Sequence, residues 1–307
     1  MSDRARGANI APTQGINSVK APTSAASSMR KRRNSGMLPS MKFLQKKFAR
    51  QASRRRFAEE YKRFVDAAKA AGLRFEMTWD DRHPCLDDRT TTTTFDRHYV
   101  FHTAWAARVL AQSRPRKHVD IGSSLYFAGI VSAFVPTEFY DLRPAALNLS
   151  NLQSRHADLM RLPFGDGEVE SLSCMHVVEH VGLGRYGDPI DPDGDLKAMR
   201  ELQRVVAPAG SLLFVVPVGR PRVQFNAHRI YSYQQVQEAF SELEICQFSL
   251  IPDLESDGGL LQDASPDLVP HQRYACGCFW LRRPASRAAG SAGLFPEARR
   301  AAPTRSG

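Results

Sequence analysis

The spacing of hydrophobic residues distinguishes an N-terminal tail from the helix that follows it. Residues 1–40 have no hydrophobic period and are rich in Ser, Ala, Pro and Arg, which predicts a disordered basic tail. From Met41 to about Ala71, aromatic residues recur among Lys and Arg at helical spacing, which predicts a basic amphipathic helix. Such a helix either rests on an anionic membrane surface or docks on a folded domain, and the acids from Glu59 onward favour docking.

A polar, turn-rich segment follows the helix, and together they form a predicted N-terminal helix and lid segment over residues 41–94. Beyond residue 94, predicted helices alternate with buried strands. Several strands lack polar alternation, which indicates that both of their faces are covered. This pattern predicts an α/β fold over residues 95–282, a doubly wound, mostly parallel seven-stranded Rossmann-like sheet with an antiparallel edge strand. The strands are expected at 118–122, 138–141, near 158, 169–178, 211–218, 243–251 and 273–283, and the helices at 95–112, 143–154, 195–206 and 232–240.

Charge is concentrated in the tails. Residues 1–58 carry a net charge of +13 and residues 282–307 carry +5, so the total of +10 leaves −8 for residues 59–281. Residues 283–307 form a second predicted disordered basic tail. The tails suit an anionic partner, whereas the acidic middle argues against a nucleic-acid groove in the domain itself.

Composition also bears on the compartment. No apolar run is long enough to span a bilayer, and the N-terminus lacks the apolar stretch of a secretion signal, although its Ser, Ala and Arg content is also typical of an organelle transit peptide. The five cysteines form no C-x-x-C pair, which predicts reduced, buried thiols in a cytoplasmic protein. Cys276 and Cys278 lie on one face of a predicted strand, an arrangement that does not suit a zinc clamp.

Polar residues follow the predicted strands, where open α/β sheets bind their ligands. Gly122 and the small residues after it let a backbone approach a ligand closely. Asp141 lies 21 residues after Asp120, a spacing at which an acid can accept both hydroxyls of a ribose. Asp158 can accept an exocyclic amine from a base. These features suit a nucleoside, but the absence of G-x-G-x-x-G disfavours a nicotinamide dinucleotide.

Four stretches resemble the class I S-adenosylmethionine-dependent methyltransferases: VDIGSS, FYD, ADLMRLPFGDGEVESLSCMHVVEHV and ELQRVVAPAGSLLFVVPVG. The resemblance covers roughly residues 95–282. A closer resemblance, to a bacterial domain family of unknown function within this fold, is carried by WDDRHPCLDDRTTTTTFDRHY, EHVGLGRYGDPIDPDGDLKAMREL, FNAHRIY and RYACGCFW.

The resemblance implies a cofactor site for S-adenosylmethionine. Its residues would be Asp120, Gly122, Ser123, Ser124, Asp141, Leu142, Asp158 and Leu159. Ser124 stands where the methyltransferase motif usually has a second glycine. This departure favours the alternative function, a catalytically inactive methyltransferase-like domain that binds a ligand or scaffolds partners.

HVVEH, residues 176–180, matches the H-x-x-E-H pattern of some zinc proteases. That site requires one long helix, so that residues i and i+4 share a face. Here a buried strand precedes the motif, and Gly182 and Gly184 follow it, so we exclude a protease.

Some metal-assisted O-methyltransferases carry E-x-x-E-H at this position. The resemblance implies a Mg or Mn ion held by His176, Glu179, His180 and His228, which would lower the pKa of an acceptor hydroxyl. Glu179, His180 and His228 are the predicted catalytic residues, and either histidine can act as general base without a metal. In the structural alternative, Glu179 and His180 only cap a turn and bond the loop that follows.

Residues 182–194 are expected to form a rim or lid over the strand ends, or simply a tight Gly- and Pro-rich excursion. Predicted substrate contacts are Arg185, Tyr186, Asp188 and Asn226. The sequence therefore predicts an S-adenosylmethionine-dependent methyltransferase that acts on oxygen of a glycan, or of a similar small-molecule polyhydroxyl acceptor.

Overall fold

A computed structural model describes residues 39–285, with side chains from residue 43 onward. The predicted tails therefore lie outside the described residues, apart from 39–40 and 283–285. The chain divides into two units between Thr93 and Thr94. Within the described part, no helix combines the length and apolar character needed to cross a membrane.

The first unit contains helix α1, Pro39–Ala70, followed by an irregular segment. Trp79 lies against this helix, with its ring centroid 4.9 Å from that of Tyr61 and 6.3 Å from that of Phe57. Arg89 pairs with Glu60 at 2.9 Å. The polar segment thus folds back on α1. Docking of α1 on the second unit stays a prediction.

The second unit alternates strands and helices along the chain. Its main elements are α2 Arg97–Ser113, β1 His118–Ile121, α3 Leu125–Val131, β2 Thr137–Asp141, β3 Leu152–His156, β4 Val169–Met175, α4 Gly194–Val205, β5 Val206–Val218, β6 Arg222–Gln224, β7 His228–Ile230, α5 Tyr233–Ala239, β8 Glu244–Ile251 and β9 Ala275–Arg282. Short 3₁₀ turns occupy Val178–His180, Glu255–Asp257 and Pro266–His271.

Seven strands form one sheet in the order β3-β2-β1-β4-β5-β9-β8. All neighbouring pairs are parallel except those of β9, which is antiparallel to β5 on one side and to the edge strand β8 on the other. The predicted seven-stranded, mostly parallel, doubly wound sheet is confirmed. The remaining strands, β6 and β7, pair as a separate hairpin.

Helices cover both faces of the sheet, which explains why the central strands lack polar alternation. Leu213 and Val215 of β5 pack with Trp105 of α2 on one face. Phe214 of β5 packs with Met199 of α4 on the other face. All five side chains are at most 1% exposed, because successive strand residues point to opposite, equally covered faces.

One predicted element is wrong: residues 143–154 contain no helix. Asn151 has a left-handed backbone, with φ of +59°, and its carbonyl accepts the N–H of Thr137 at 2.8 Å. The following residues then pair in parallel with β2 over its whole length. Pro144 and the asparagines of this segment are weak helix formers, so sheet pairing decides the local structure.

Candidate functional site

Gly122 ends β1 in a conformation that favours glycine, with φ of +66°. Its N–H donates to the carbonyl of Tyr140 at 2.7 Å. A Cβ atom on this residue would lie 3.2 Å from a methyl group of Val177 and 3.7 Å from Oδ2 of Asp141. The structure thus brings Gly122 and Asp141 together at the ends of neighbouring strands, with Val177 on the other side.

The two serines after Gly122 begin α3. Ser123 is buried and its hydroxyl accepts the N–H of Met175 at 3.1 Å, which ties β1 to β4. Ser124 is the N-cap, in an extended conformation with φ of −70°, and its side chain makes no capping bond. Position 124 therefore needs no glycine, and the serine there causes no backbone strain.

Asp120 is fully buried and belongs to a chain of hydrogen bonds between β1 and β4. Its Oδ1 accepts the N–H of Ser123 at 3.0 Å, and its Oδ2 accepts the hydroxyl of Ser173 at 2.6 Å. Because Ser173 gives its only proton to Asp120, it accepts the Nε2–H of His118 at 2.9 Å. His118 Nδ1 then accepts the hydroxyl of Ser171, also at 2.9 Å.

Burial determines the protonation of the two titratable groups in this chain, His118 and Asp120. Burial lowers the pKa of His118 to about 3, which keeps the imidazole neutral. Burial raises the pKa of Asp120 to about 6, although the bonds from Ser173 and Ser123 oppose the rise. Both oxygens of Asp120 are occupied inside the domain, so this residue shapes the Gly122 turn from below and does not face the strand ends.

The other predicted cofactor residues follow β2 and β3. Asp141 is half-buried and uses Oδ1 to accept the N–H of Arg143 at 2.7 Å. Asp158 is exposed and accepts the N–H of Met160 at 2.9 Å. Leu142 is 46% exposed, whereas Leu159 is buried in the core. The three acids therefore lie in β1, at the end of β2 and just after β3, and only Asp141 and Asp158 are open to a ligand.

HVVEH is not a helix, as the sequence indicates. His176 has a left-handed backbone, with φ of +57°, and only the 3₁₀ turn Val178–His180 follows. Residues 176 and 180 therefore do not share a helix face, and the protease geometry is absent from this motif.

Glu179 is a buried carboxylate at the centre of this motif, 1% exposed. Its Oε1 lies 2.8 Å from Nδ1 of His176, and its Oε2 has no hydrogen-bond partner among the described residues. Burial raises the pKa of Glu179, but the bond to His176 and the neighbouring imidazoles outweigh burial, so that the pKa is lowered overall. The carboxylate is thus held ionised and only half paired.

His176 is surrounded by aromatic rings. His98 of α2 lies nearly parallel to it, with ring centroids 5.6 Å apart, and Tyr274 stacks on the far side of His98 at 5.2 Å. His228 lies 4.8 Å from Tyr274. Burial, followed by the neighbouring imidazole of His176, lowers the pKa of His98 to about 3. The ring stack connects the end of β4 to the β6–β7 hairpin.

His180 has a fixed orientation. Its Nδ1 lies 2.6 Å from the carbonyl of Ala227 and therefore carries the proton, which leaves Nε2 with a lone pair. Burial lowers the pKa of His180, and the charge of Glu179 only partly offsets this. The ring of His228 lies 6.4 Å away, and its Nε2 bonds Oε1 of Gln224 at 2.6 Å. The site thus contains two neutral imidazoles, and the lone pair on Nε2 of His180 has a guanidinium nitrogen of Arg185 3.5 Å away.

The four predicted metal ligands do not form one cluster, which corrects that prediction. Nδ1 of His180 and Nε2 of His228 are bonded to other oxygens. Across residues 39–285, the potential ligand atoms that lie within 4.8 Å of one another belong to His98, His176 and Cys276. These donors are nitrogen and sulfur, which do not suit the expected Mg or Mn ion.

The loop 181–193 is a braced rim. The carboxylate of Asp188 accepts the N–H groups of Gly182, Gly184 and Tyr186 at 2.8, 3.3 and 3.1 Å. Its oxygens are thereby committed to the loop, which argues against the predicted substrate contact. Burial raises the pKa of Asp188, but these three bonds outweigh it and lower the pKa overall.

The remaining predicted substrate residues lie in this loop and in the turn between β6 and β7. Tyr186 is 45% exposed, and the guanidinium groups of Arg143 and Arg185 lie 4.9 and 5.2 Å from its ring. Arg185 also donates to the carbonyl of Ala227 at 3.0 Å. Asn226 is exposed in the turn between β6 and β7. The structure therefore brings Arg185 and Tyr186 next to His180.

Sequence reasoning missed Arg229, which braces the loop from β7. This buried guanidinium donates to the carbonyls of Val181 and Pro192 at 2.6 and 3.1 Å and pairs with Asp195 at 3.4 Å. A cation directly before the apolar residues Ile230 and Tyr231 was the available signal. His98 and His102 were missed as well, although they are four residues apart on one predicted helix and share a face.

Residues 166–249 match the family described as "Caenorhabditis protein of unknown function, DUF268". This match spans less than half of the chain and does not confirm the bacterial family expected from the sequence. The sequence has no significant similarity to a curated protein.

Several solved structures are similar in fold. The N-methyltransferase NodS from Bradyrhizobium japonicum, in complex with S-adenosylhomocysteine, is 15% identical, and the alignment covers 64% of this chain and 93% of NodS with a TM-score of 0.44. The Burkholderia thailandensis 1,6-didemethyltoxoflavin-N1-methyltransferase is 12% identical, with coverages of 60% and 79% and a TM-score of 0.42. The [4+2]-cyclase SpnF is 14% identical, with coverages of 59% and 82% and a TM-score of 0.41. The fold assignment itself rests on the strand order and directions observed in the sheet.

Proposed function

We propose that the second unit is an S-adenosylmethionine-dependent methyltransferase. One observation carries the proposal: the left-handed Gly122 at the end of β1 faces the carboxylate of Asp141 at the end of β2, 3.7 Å from its Cβ position. This pair lies at the carboxyl edge of an open α/β sheet, beside the central strand, where such folds bind their ligands. A glycine beside an acid can accommodate a ribose, because the backbone comes close while the carboxylate accepts its hydroxyls.

Carboxylate oxygens that are not used within the domain indicate which residues would contact the cofactor. Oδ2 of Asp141 has no hydrogen-bond partner within the described part of the chain and can accept the ribose hydroxyls. Asp158, just after the adjacent strand β3, can accept the amine of the adenine. S-Adenosylmethionine, when bound, supplies a methyl group on a sulfonium centre.

We further propose that the acceptor is a hydroxyl of a glycan or similar polyhydroxyl compound. The ring of Tyr186 is 45% exposed and has the guanidinium groups of Arg143 and Arg185 over it, so a sugar would contact the exposed part of the ring and these hydrogen-bond donors. Nε2 of His180 carries the lone pair that would take the proton of an attacking hydroxyl, in exchange for its 3.5 Å contact with a guanidinium nitrogen of Arg185. Glu179 orients the imidazoles and stabilises the positive charge that develops on His180, whose Nε2 lies 3.8 Å from Oε1.

Calorimetric titration with S-adenosylhomocysteine tests the cofactor assignment. We expect saturable binding by the full chain, weakened about 10- to 100-fold by Asp141→Asn, because a hydrogen bond to a charged group contributes about 1.5–3 kcal/mol. Asp263→Asn, which changes an acid elsewhere on the surface, is the matched control. Absence of binding heat in a folded sample would instead support the catalytically inactive domain.

The acceptor class needs its own assay. Tritium-labelled S-adenosylmethionine and a panel of free oligosaccharides should give labelled sugar with the unaltered protein and at least about 100-fold less with His180→Gln. Label on nitrogen-containing acceptors alone would contradict the O-methylation proposal while leaving cofactor binding intact.

A further inference from the structure

Three side chains from distant parts of the sequence meet beside the proposed methyl-transfer site. His98 lies in the first turn of α2, His176 directly follows β4, and Cys276 lies in β9. Their nearest nitrogen and sulfur atoms all lie within 4.8 Å of one another. We propose that these three residues bind a zinc ion.

The donor spacing suits this ion. Nε2 of His176 lies 3.4 Å from Sγ of Cys276. Two donors of a tetrahedral zinc site are about 3.5 Å apart, given zinc–nitrogen bonds of about 2.0–2.1 Å and zinc–sulfur bonds of about 2.3 Å. His98 is the third donor, and it needs to move by about 1.5 Å at most to complete the same triangle. His98 is half-buried, which leaves a route for the ion from solvent.

Glu179 prepares His176 for this role. Because Nδ1 of His176 lies 2.8 Å from Oε1 of Glu179, this nitrogen carries the proton and Nε2 presents its lone pair to Cys276. A carboxylate that holds the far nitrogen of an imidazole is the usual support of a metal-binding histidine, since it fixes the ring and strengthens the ligand.

Two unpaired polar atoms border the cluster. Oε2 of Glu179 and Nε2 of His102 are both buried without a hydrogen-bond partner among the described residues. Glu179 is 1% exposed and His102 is 0% exposed, and the ring of His102 lies 5.0 Å from that of His176. Burying such groups unpaired costs free energy, and a divalent cation beside them offsets that cost.

The donor types select zinc over the harder ions. One thiolate and two imidazoles are typical ligands of zinc, whereas magnesium and manganese prefer carboxylates and water. The competing explanation is a simple hydrogen bond, in which the Cys276 thiol donates to Nε2 of His176 and no ion is bound. The zinc ion would tie α2 and β9 to the end of β4, independently of whether the neighbouring site transfers methyl groups.

Metal analysis and cobalt substitution separate the two explanations. The full, reduced chain without an affinity tag should retain about one equivalent of zinc after dialysis. After the zinc is removed with a chelator, added Co²⁺ should give the sulfur-to-cobalt charge-transfer absorption of a thiolate ligand and the visible bands of a tetrahedral site.

Single variants test the ligands. Cys276→Ser should abolish the charge-transfer absorption, and His98→Gln should lower metal affinity at least about 10-fold, as loss of a ligand or its support does. Cys246→Ser, at an exposed cysteine, should change neither readout. Because Cys276 is fully buried, the half-buried His98 provides a second variant with little risk to folding, and circular dichroism checks each sample. Folded protein that gives no cobalt spectrum, or His98→Gln protein that binds as tightly as the original, would overturn the proposal.

Discussion

Arg229 and Asp195 form a buried ion pair, with Nε of the arginine 3.4 Å from Oδ1 of the aspartate and both side chains 8% exposed. The second carboxylate oxygen of Asp195 accepts the hydroxyl of Tyr231 at 2.9 Å. Since the same guanidinium also donates to carbonyls of the loop 181–193, a single side chain connects β7, the loop and the start of α4. The rim of the proposed site therefore has a fixed position relative to the sheet.

Removal of this cation should be costly. We expect Arg229→Met to lower the free energy of unfolding by about 3–5 kcal/mol, because it leaves Asp195 buried without its partner. Lys117→Met, which breaks the more exposed pair between Lys117 and Glu138, should cost at most about 1 kcal/mol. Urea denaturation measures both values, and equal effects of the two substitutions would show that the buried pair does not brace the loop.

Two glycines of the same loop should respond differently to alanine. Both have left-handed backbones, with φ of +79° at Gly182 and +85° at Gly187, so each substitution incurs about 1–2 kcal/mol of strain. A Cβ at Gly182 would also collide with the carbonyl oxygen of Asp191, whereas a Cβ at Gly187 meets nothing within 4 Å. Thermal unfolding should therefore show a larger loss for Gly182→Ala, and similar losses for both would contradict the close packing of the loop.

Asp120 should make stability depend on pH with an unusual sign. Its folded pKa of about 6 exceeds the ordinary value of 3.8, so the folded state holds a proton that the unfolded state has released. The contribution of Asp120 to the free energy of unfolding is therefore largest below about pH 4. It falls by about 3 kcal/mol in total as the pH rises through 6.

The comparison of variants isolates this contribution from other acids. The unfolding free energy of the original protein, minus that of Asp120→Asn, should decrease between pH 4 and pH 7. Glu255→Gln, at an exposed acid, should leave the original pH profile unchanged. A pH-independent difference between the original protein and Asp120→Asn would show that the carboxyl group is not desolvated.

His180 should be neutral and protonated on Nδ1 near pH 7. Burial lowers its pKa below the usual 6.5, and the bond to Ala227 selects the tautomer. Long-range proton–nitrogen correlation spectra distinguish the two tautomers and follow the titration. In Glu179→Gln the pKa should fall further, because the carboxylate that raises it is lost. An Nε2–H tautomer would remove His180 as the general base of the proposed reaction.

The sequence predicts most of the sheet because its strands are apolar without alternation, and this pattern requires cover on both faces. The prediction of local structure fails at residues 143–154, where weak helical spacing of apolar residues competes with the parallel pairing of residues 152–156 to β2. Pairing partners lie outside any local window, so local periodicity does not reveal which of the two wins.

The site is predictable to the extent that it lies at strand ends. The approach of Gly122 to Asp141 follows from the rule that consecutive parallel strands end at one edge. The role of Asp120 does not follow, because its hydrogen-bond partner Ser173 belongs to a strand more than fifty residues away. For the same reason the sequence pointed to His180 and His228 as metal ligands and not to His98 and Cys276, whose approach depends on how α2 and β9 pack at the end of β4.

The polar chain from Ser171 through His118 and Ser173 to Asp120 has one further consequence. Hydrocarbon side chains alone would let β1 and β4 pair in several alignments, since Val, Leu and Ile are nearly interchangeable contacts. A register shift of one residue would turn both serines to the opposite face of the sheet. The imidazole of His118 and the carboxyl group of Asp120 would then be buried among apolar side chains without their partners. The four groups therefore fix the register between β1 and β4 at the centre of the sheet, because a shifted alignment would leave buried polar groups without partners.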